Sequence, residues 1–167
     1  MAQIAKESKP KDYLINFEIF DDLPDFYFLI DEREIICAAN NTVLNYFKNI
    51  IISETKFESL LHPASILFIS NIISQVNKEG RKKKCEVKFL YKNRIIDALL
   101  FISPQKGSKK KQLFIIAKDI SADKQKEIDL IRFYYVAQNT VNPLQITDLS
   151  GKMIYVNPAF EKASGYK

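Results

Sequence analysis

The chain has 167 residues, 47% of them hydrophobic, with four glycines and six prolines. That is enough apolar material for one domain plus a fragment, and it excludes low-complexity and collagen-like chains. The net charge of +5 is mild for a nucleic-acid binder. The excess gathers in GRKKK (80–84) and KGSKKKQ (106–112), which read as solvated turns.

MAQIAKESKPK at the start has no apolar segment of the kind that signal peptides carry. Residues 1–10 are polar, and Lys11–Asp22 follows with Tyr13, Leu14, Phe17 and Phe20 on one helical face. This predicts a short amphipathic lead-in helix, ended by Pro24, that needs a surface to cover. FYFLI (26–30) and IICAA (35–39) predict two strands joined by DERE. Asn40, Asn41 and Thr42 supply helix-capping side chains, and TVLNYFKNI continues as a short helix with Val43, Leu44 and Phe47 inward.

After FESLLHP, residues 64–78 place apolar side chains at 66, 69, 73 and 76, flanked by 68 and 72. That spacing predicts a helix with a wide buried face, stopped by Gly80. His62, Pro63, Asn71 and several serines interrupt this most apolar window, so it predicts a buried helix and no membrane span. CEVKFLY (85–91) alternates as a half-buried strand. RIIDALLFIS (94–103) is apolar throughout, as in an interior strand, and QLFIIAKDI (112–120) is a third. Hairpin-length connections make these strands antiparallel. The expected fold class is α+β, a five-stranded antiparallel sheet with helices on one face. From Ser121, SADKQKEIDLIRFYYVAQ predicts a connecting helix whose second half, with Ile128, Ile131 and Tyr135, needs a partner. Two turns of such spacing leave open whether that partner is its own domain or a second copy.

An offset of 117 residues superposes the end of the chain on its beginning: Asp31 on Asp148, Leu29 on Ile146, Ile36 on Met153, Asn40 on Asn157 and Val43 on Phe160. A repeat of that period implies tandem domains. In the later copy Gly151 suits a tight turn, Asn157 a helix cap, Pro158 the first helical position and Gly165 a helix end. Glu34 stands where that copy has Gly151, so either it takes a strained left-handed geometry or its turn differs.

The stretch ITDLSGKMIYVNPAFEKASGY resembles the start of a PAS domain, with its strand, D-x-x-G turn, strand, Asn, short helix and G-Y. Residues 22–121 are similar to a complete one, including LLHP before the long helix and Asp119–Ile120–Ser121 after the last strand. The resemblance implies a PAS-like fold flanked by linker helices. Its parts are a tail and amphipathic helix over 1–21, a PAS domain over 22–121, a connector helix over 122–138 and the truncated start of a second domain over 139–167.

A single histidine, His62, argues against a histidine metal cluster or a Ser-His-Asp machine, and reads as a capping or hydrogen-bonded side chain. No phosphate-binding glycine motif is present. Haem-binding PAS domains use a histidine on the long helix, and residues 64–78 contain none. Flavin-binding ones use a cysteine in Asn-Cys-Arg-Phe, a context that neither Cys37 nor Cys85 has. No cofactor, haem, flavin or metal is therefore indicated, and no catalytic residue is assigned. The two cysteines lack CxxC spacing, which argues against a disulfide framework and suits a reducing, cytoplasmic compartment.

Phe28, Ile36, Phe47, Phe68, Phe89, Leu99 and Ile115 could line a cavity for a small-molecule ligand, or simply fill the core. Asp119 and Ser121 are the candidate signalling residues, because they stand where the last strand becomes the connector. The expected function is a non-catalytic sensory module. It would act on an output domain in cis beyond Lys167, a histidine kinase or cyclic-dinucleotide enzyme, and form a homodimer through its flanking helices. The alternative is a basic protein that binds nucleic acid or an acidic partner through the lysines at 81–84 and 106–111.

Overall fold

A computed structural model describes residues 17–48, 50–105 and 111–165. The chain divides into two compact units, Met1–Ser121 and Ala122–Lys167. Among the described residues no helix is long and apolar enough to cross a membrane.

The first unit opens with a 3-10 turn, Phe17–Phe20, followed by strands β1 (Phe26–Asp31) and β2 (Ile36–Ala39). Helix α1 (Asn41–Tyr46), a second 3-10 turn (Phe57–Leu60) and helix α2 (Pro63–Glu79) come next. Strands β3 (Lys83–Tyr91), β4 (Arg94–Pro104) and β5 (Gln112–Asp119) complete it. The strands form one sheet in the order β2-β1-β5-β4-β3, with every neighbouring pair antiparallel. This is the α+β platform that the sequence predicts.

Half of the expected lead-in helix, residues 11–16, lies outside the described residues. In the described residues it is a single 3-10 turn, and Tyr13 and Leu14 lie outside them. After this turn the Asp21 Oδ1 accepts from the Asn41 amide at 3.0 Å, at the start of α1. Pro24 disfavours helix in the residue before it. The lysine-rich loop at 106–110 likewise lies outside the described residues.

Alternation sorts the side chains. Phe26, Phe28, Ile30, Val87, Phe89, Ile96, Ala98, Leu100, Ile102, Leu113 and Ile115 point to one face and form the main core with Val43, Phe47, Phe57, Ile69, Ile73 and Val76. The opposite face carries a smaller cluster, in which Phe17 and Phe20 cover Tyr27, Leu29 and Phe114. Helix α2 begins at His62, whose Nδ1 accepts from the Ala64 amide at 3.3 Å, and ends at Gly80 in left-handed geometry (φ 66°). Its buried face is narrower than the spacing suggests. Ile69, Ile73 and Val76 are buried, while Phe68 is 48% exposed.

The β3–β4 hairpin turns on Lys92 and Asn93, both at positive φ, as a two-residue turn between right-twisted strands requires. The β1–β2 turn is closed by Asp31, whose Oδ1 accepts from the amides of Arg33 and Ile35. Glu34 in that turn takes φ 63°. Its carboxyl is also held above the ordinary range, by burial first and then by the charge of Glu58, against a lowering by Lys56.

Helix α3 (Ser121–Asn139) contains no buried residue, and Leu130, Ile131, Phe133, Tyr134, Tyr135 and Val136 are all exposed. In the second unit β6 (Gln145–Thr147) and β7 (Met153–Val156) form a two-stranded antiparallel sheet, followed by α4 (Pro158–Ser164). The Asp148 carboxylate is held below its usual range by the Ser150 hydroxyl and the Lys152 amide. Gly151 in this turn has φ 85°. Asn157 caps α4, and Gly165 ends it at φ 76°.

Two outcomes follow. Glu34→Gly should raise stability by about 1 kcal/mol in urea unfolding, since left-handed geometry is costly for a residue with a Cβ. The Cys85 thiol is pushed up from 9.0 to about 11 by burial. Its contribution to stability should therefore be complete below pH 9, where neither state ionises it, and decline from pH 9 towards 11 as the unfolded chain releases the proton first. Unfolding midpoints of the wild type and Cys85→Ala across that range should converge as pH rises.

Candidate functional site

Two places in the first unit could carry a signal: the packed interior and the root of α3. The interior is dominated by rings. Phe28 lies edge-on to Phe57 at 5.2 Å between centroids, Phe26 to Phe47 at 5.4 Å, and Phe47 to Tyr91 at 5.5 Å. Of the expected cavity residues, Phe28, Ile36, Phe47, Phe89 and Ile115 are fully buried together here. Phe68 and Leu99 do not join them. Phe68 sits on the outward side of α2, and Leu99 is directly opposite Glu86 and Lys118 on the far face of the sheet. The hydroxyl of Tyr91 is buried and has no hydrogen-bond partner among the described residues. Such a group is a cost to the fold unless something polar reaches it.

At the root of α3, Asp119 and Ser121 are brought together. Asp119 Oδ1 accepts from the Ser121 amide at 2.8 Å. The Ser121 hydroxyl accepts from the Asp97 amide at 3.0 Å and donates to the Asp97 carbonyl at 3.5 Å. The Ile120 amide donates to the same carbonyl at 2.8 Å. Ile120 and Ser121, where β5 gives way to α3, are thus bonded to Asp97 in the middle of β4.

The path continues from Asp97. Its partner across the hairpin is Lys88, and their side chains pair at 3.6 Å. The Lys88 amide donates to Ser65 Oγ at 3.1 Å, and its carbonyl accepts from the His62 amide at 2.7 Å. The start of α2 and the start of α3 are therefore fastened to directly opposed residues of one hairpin. Lys88 and Asp97 were not singled out by sequence reasoning. Their only signal was opposite charges at mirrored positions about the Lys92–Asn93 turn.

Asn40 does more than cap. It is completely buried. Its Oδ1 accepts from the amides of Tyr27 and Val43, and its Nδ2 donates to the carbonyls of Phe20 and Asp25. Asn157 in the second unit, also completely buried, repeats this with Leu144, Phe160, Ala137 and Asn142. Each of the four partners is displaced by 117 residues. The strand register keeps the same offset. Phe28↔Ala39 corresponds to Gln145↔Val156, and the irregularity between Leu29 and Ile30 corresponds to one between Ile146 and Thr147.

Ser121→Ala should free the first turn of α3 from β4. Amide exchange at 121–125 should rise about tenfold or more for a loss of roughly 1–2 kcal/mol of local stability. Exchange in α2 should stay at the wild-type rate.

The PAS domain profile matches residues 24–122. Among solved structures, a PAS domain from Colwellia psychrerythraea shares 21% identity at a TM-score of 0.53, covering 62% of this chain and 92% of that one. The PAS domain of an HTR-like protein from Haloarcula marismortui shares 13% identity at 0.52, covering 61% and 86%. The PAS domain of Bordetella pertussis BvgS shares 13% at 0.50, covering 70% and 93%. No curated protein matches the chain. The fold, the matched span and these likenesses agree: the chain belongs to the PAS domain family, whose domains are sensory modules.

Proposed function

We propose that residues 22–121 sense a small ligand or partner and that α3 carries the response to an output unit in cis beyond Lys167, of histidine kinase or cyclic-dinucleotide type. The observation that carries this reading is the double fastening of α2 and α3 to the Lys88–Asp97 pair. A ligand that shifts α2 changes the support of α3 through a single hairpin, and it acts by favouring one of two linker arrangements. No catalysis in this segment is part of the proposal.

Within the same reading, residues 139–167 are the opening of a second PAS domain. The four repeated bonds of Asn40 and Asn157 support it. The exposed apolar side chains of α3 support a homodimer through the flanking helices. The unpaired Tyr91 hydroxyl supports a ligand with one polar group among the core rings.

Native mass spectrometry of the chain as purified tests the ligand. The expected spectrum shows a bound small molecule, lost or much reduced in Tyr91→Phe. In the ligand-free chain the same substitution should raise stability by about 1 kcal/mol, since it removes an unsatisfied hydroxyl. A spectrum of bare protein together with an unchanged or lowered stability would remove the ligand from the proposal. Asp119→Ala in the full-length parent tests the connector: unchanged output there would remove it as a signalling residue.

A further inference from the structure

The GRKKK run and an exposed aromatic ring meet at one corner of the first unit. Gly80 stops α2 in left-handed geometry and passes the chain through Arg81 and Lys82 into β3, where Lys83 pairs with Ile102 and Lys84 with Phe101. β4 pairs onward with β5 at Pro104↔Leu113, so Lys111, just before β5, stands at the same end of the sheet. Arg81, Lys82, Lys84 and Lys111 are exposed, while Lys83 is held by Glu79 at 3.0 Å. A groove of about 330 Å³ opens here on the face turned away from the main core, lined by Lys82, Lys84, Phe101, Ser103 and Ile116, among others. Phe101 is 40% exposed, and the Lys84 ammonium sits 5.4 Å from its ring centre.

Charge selects a polyanion for this corner, and the ring selects among polyanions. An acidic peptide strand gains its affinity from backbone bonds at a free strand edge, but Phe101 lies on β4, which β3 and β5 bond along both margins. An anionic bilayer takes up apolar side chains that project into it, but Phe101 lines a concave groove with more than half of its surface covered. A single-stranded nucleic acid brings a phosphate for each cation and a flat base for the ring beside them. Stacking on a ring needs no strand edge, and the groove has the volume of a small-ligand site. Glu86, the next outward side chain along β3, bounds the cationic surface.

We infer that this corner binds single-stranded nucleic acid, one base lying against Phe101 and the neighbouring phosphates meeting Arg81, Lys82 and Lys84, with Lys111 extending the path across the end of the sheet. The site uses neither the core, the connector nor a second copy of the chain, so it stands or falls apart from the sensory reading.

Fluorescence anisotropy of the full chain with a labelled strand of about twelve uridines tests it. Saturable binding with a Kd below about 100 µM is expected at about 50 mM salt, and log K should fall against log salt with a slope of about −2 to −3, as for roughly three or four phosphates. Lys82→Gln with Lys84→Gln should weaken binding at least about tenfold and lessen that slope by about 1.4. Phe101→Leu should weaken binding about fivefold or more at an unchanged slope, because stacking releases no counterions. Lys118→Gln with Lys126→Gln removes the same charge from exposed positions elsewhere and should leave binding within about twofold of the wild type. No saturable binding, an equal loss in that control pair, or a Phe101→Leu protein that binds as tightly as the wild type overturns the inference. Displacement of the strand by polyglutamate or by phosphatidylserine vesicles at equal charge concentration overturns it too, and assigns the corner to an acidic peptide or a bilayer.

Discussion

The seat that β5 takes beside β1 governs the first unit. The last strand of the unit pairs with the first along its whole length, from Phe26↔Ala117 to Asp31↔Gln112. That pairing puts β5 at the centre of the sheet, with β4 and β3 to one side and β1 and β2 to the other. It also gives the sheet two different faces. One is closed by α1, α2 and the aromatic interior, and on the other, among the described residues, the lead-in turn covers one end. Because β5 pairs with β4, its end at Asp119 leaves Ser121 within reach of Asp97.

Much of this was legible in the residues, and the parts that were not have identifiable reasons. The alternation of Cys85, Val87 and Phe89 with Glu86 and Lys88 marks a strand with one wet face, and so it proves. The Asn-Pro and Gly signals around α4 are local chemistry, and local chemistry is readable. In contrast, β4 is apolar on both faces, and periodicity says nothing about which face meets the core. Leu99 was placed on the wrong side for that reason. Phe68 falls at the margin of the helical stripe, where one step of a hundred degrees moves a side chain from interior to solvent. The order of the strands and the Lys88–Asp97 pair are properties of tertiary pairing, which no single window contains.

The two buried asparagines show how few residues a corner of this fold needs. Each amide side chain uses two donor and two acceptor bonds to join a preceding segment, a strand and a helix start. Aspartate would have no donor for the two carbonyls, and leucine would leave four backbone groups unpaired in a dry site. The partner that Phe20 supplies in the first unit is supplied in the second by Ala137, in the last turn of α3. The lead-in and the connector thus occupy equivalent places in the two units.

β6 has a consequence of its own. In the first unit the corresponding strand, β1, is hydrogen-bonded along both margins, by β2 and by β5. β6 is bonded by β7 alone. Among the described residues no strand pairs with its other margin. A margin of this kind can accept an extended strand, as β1 accepts β5 in the first unit.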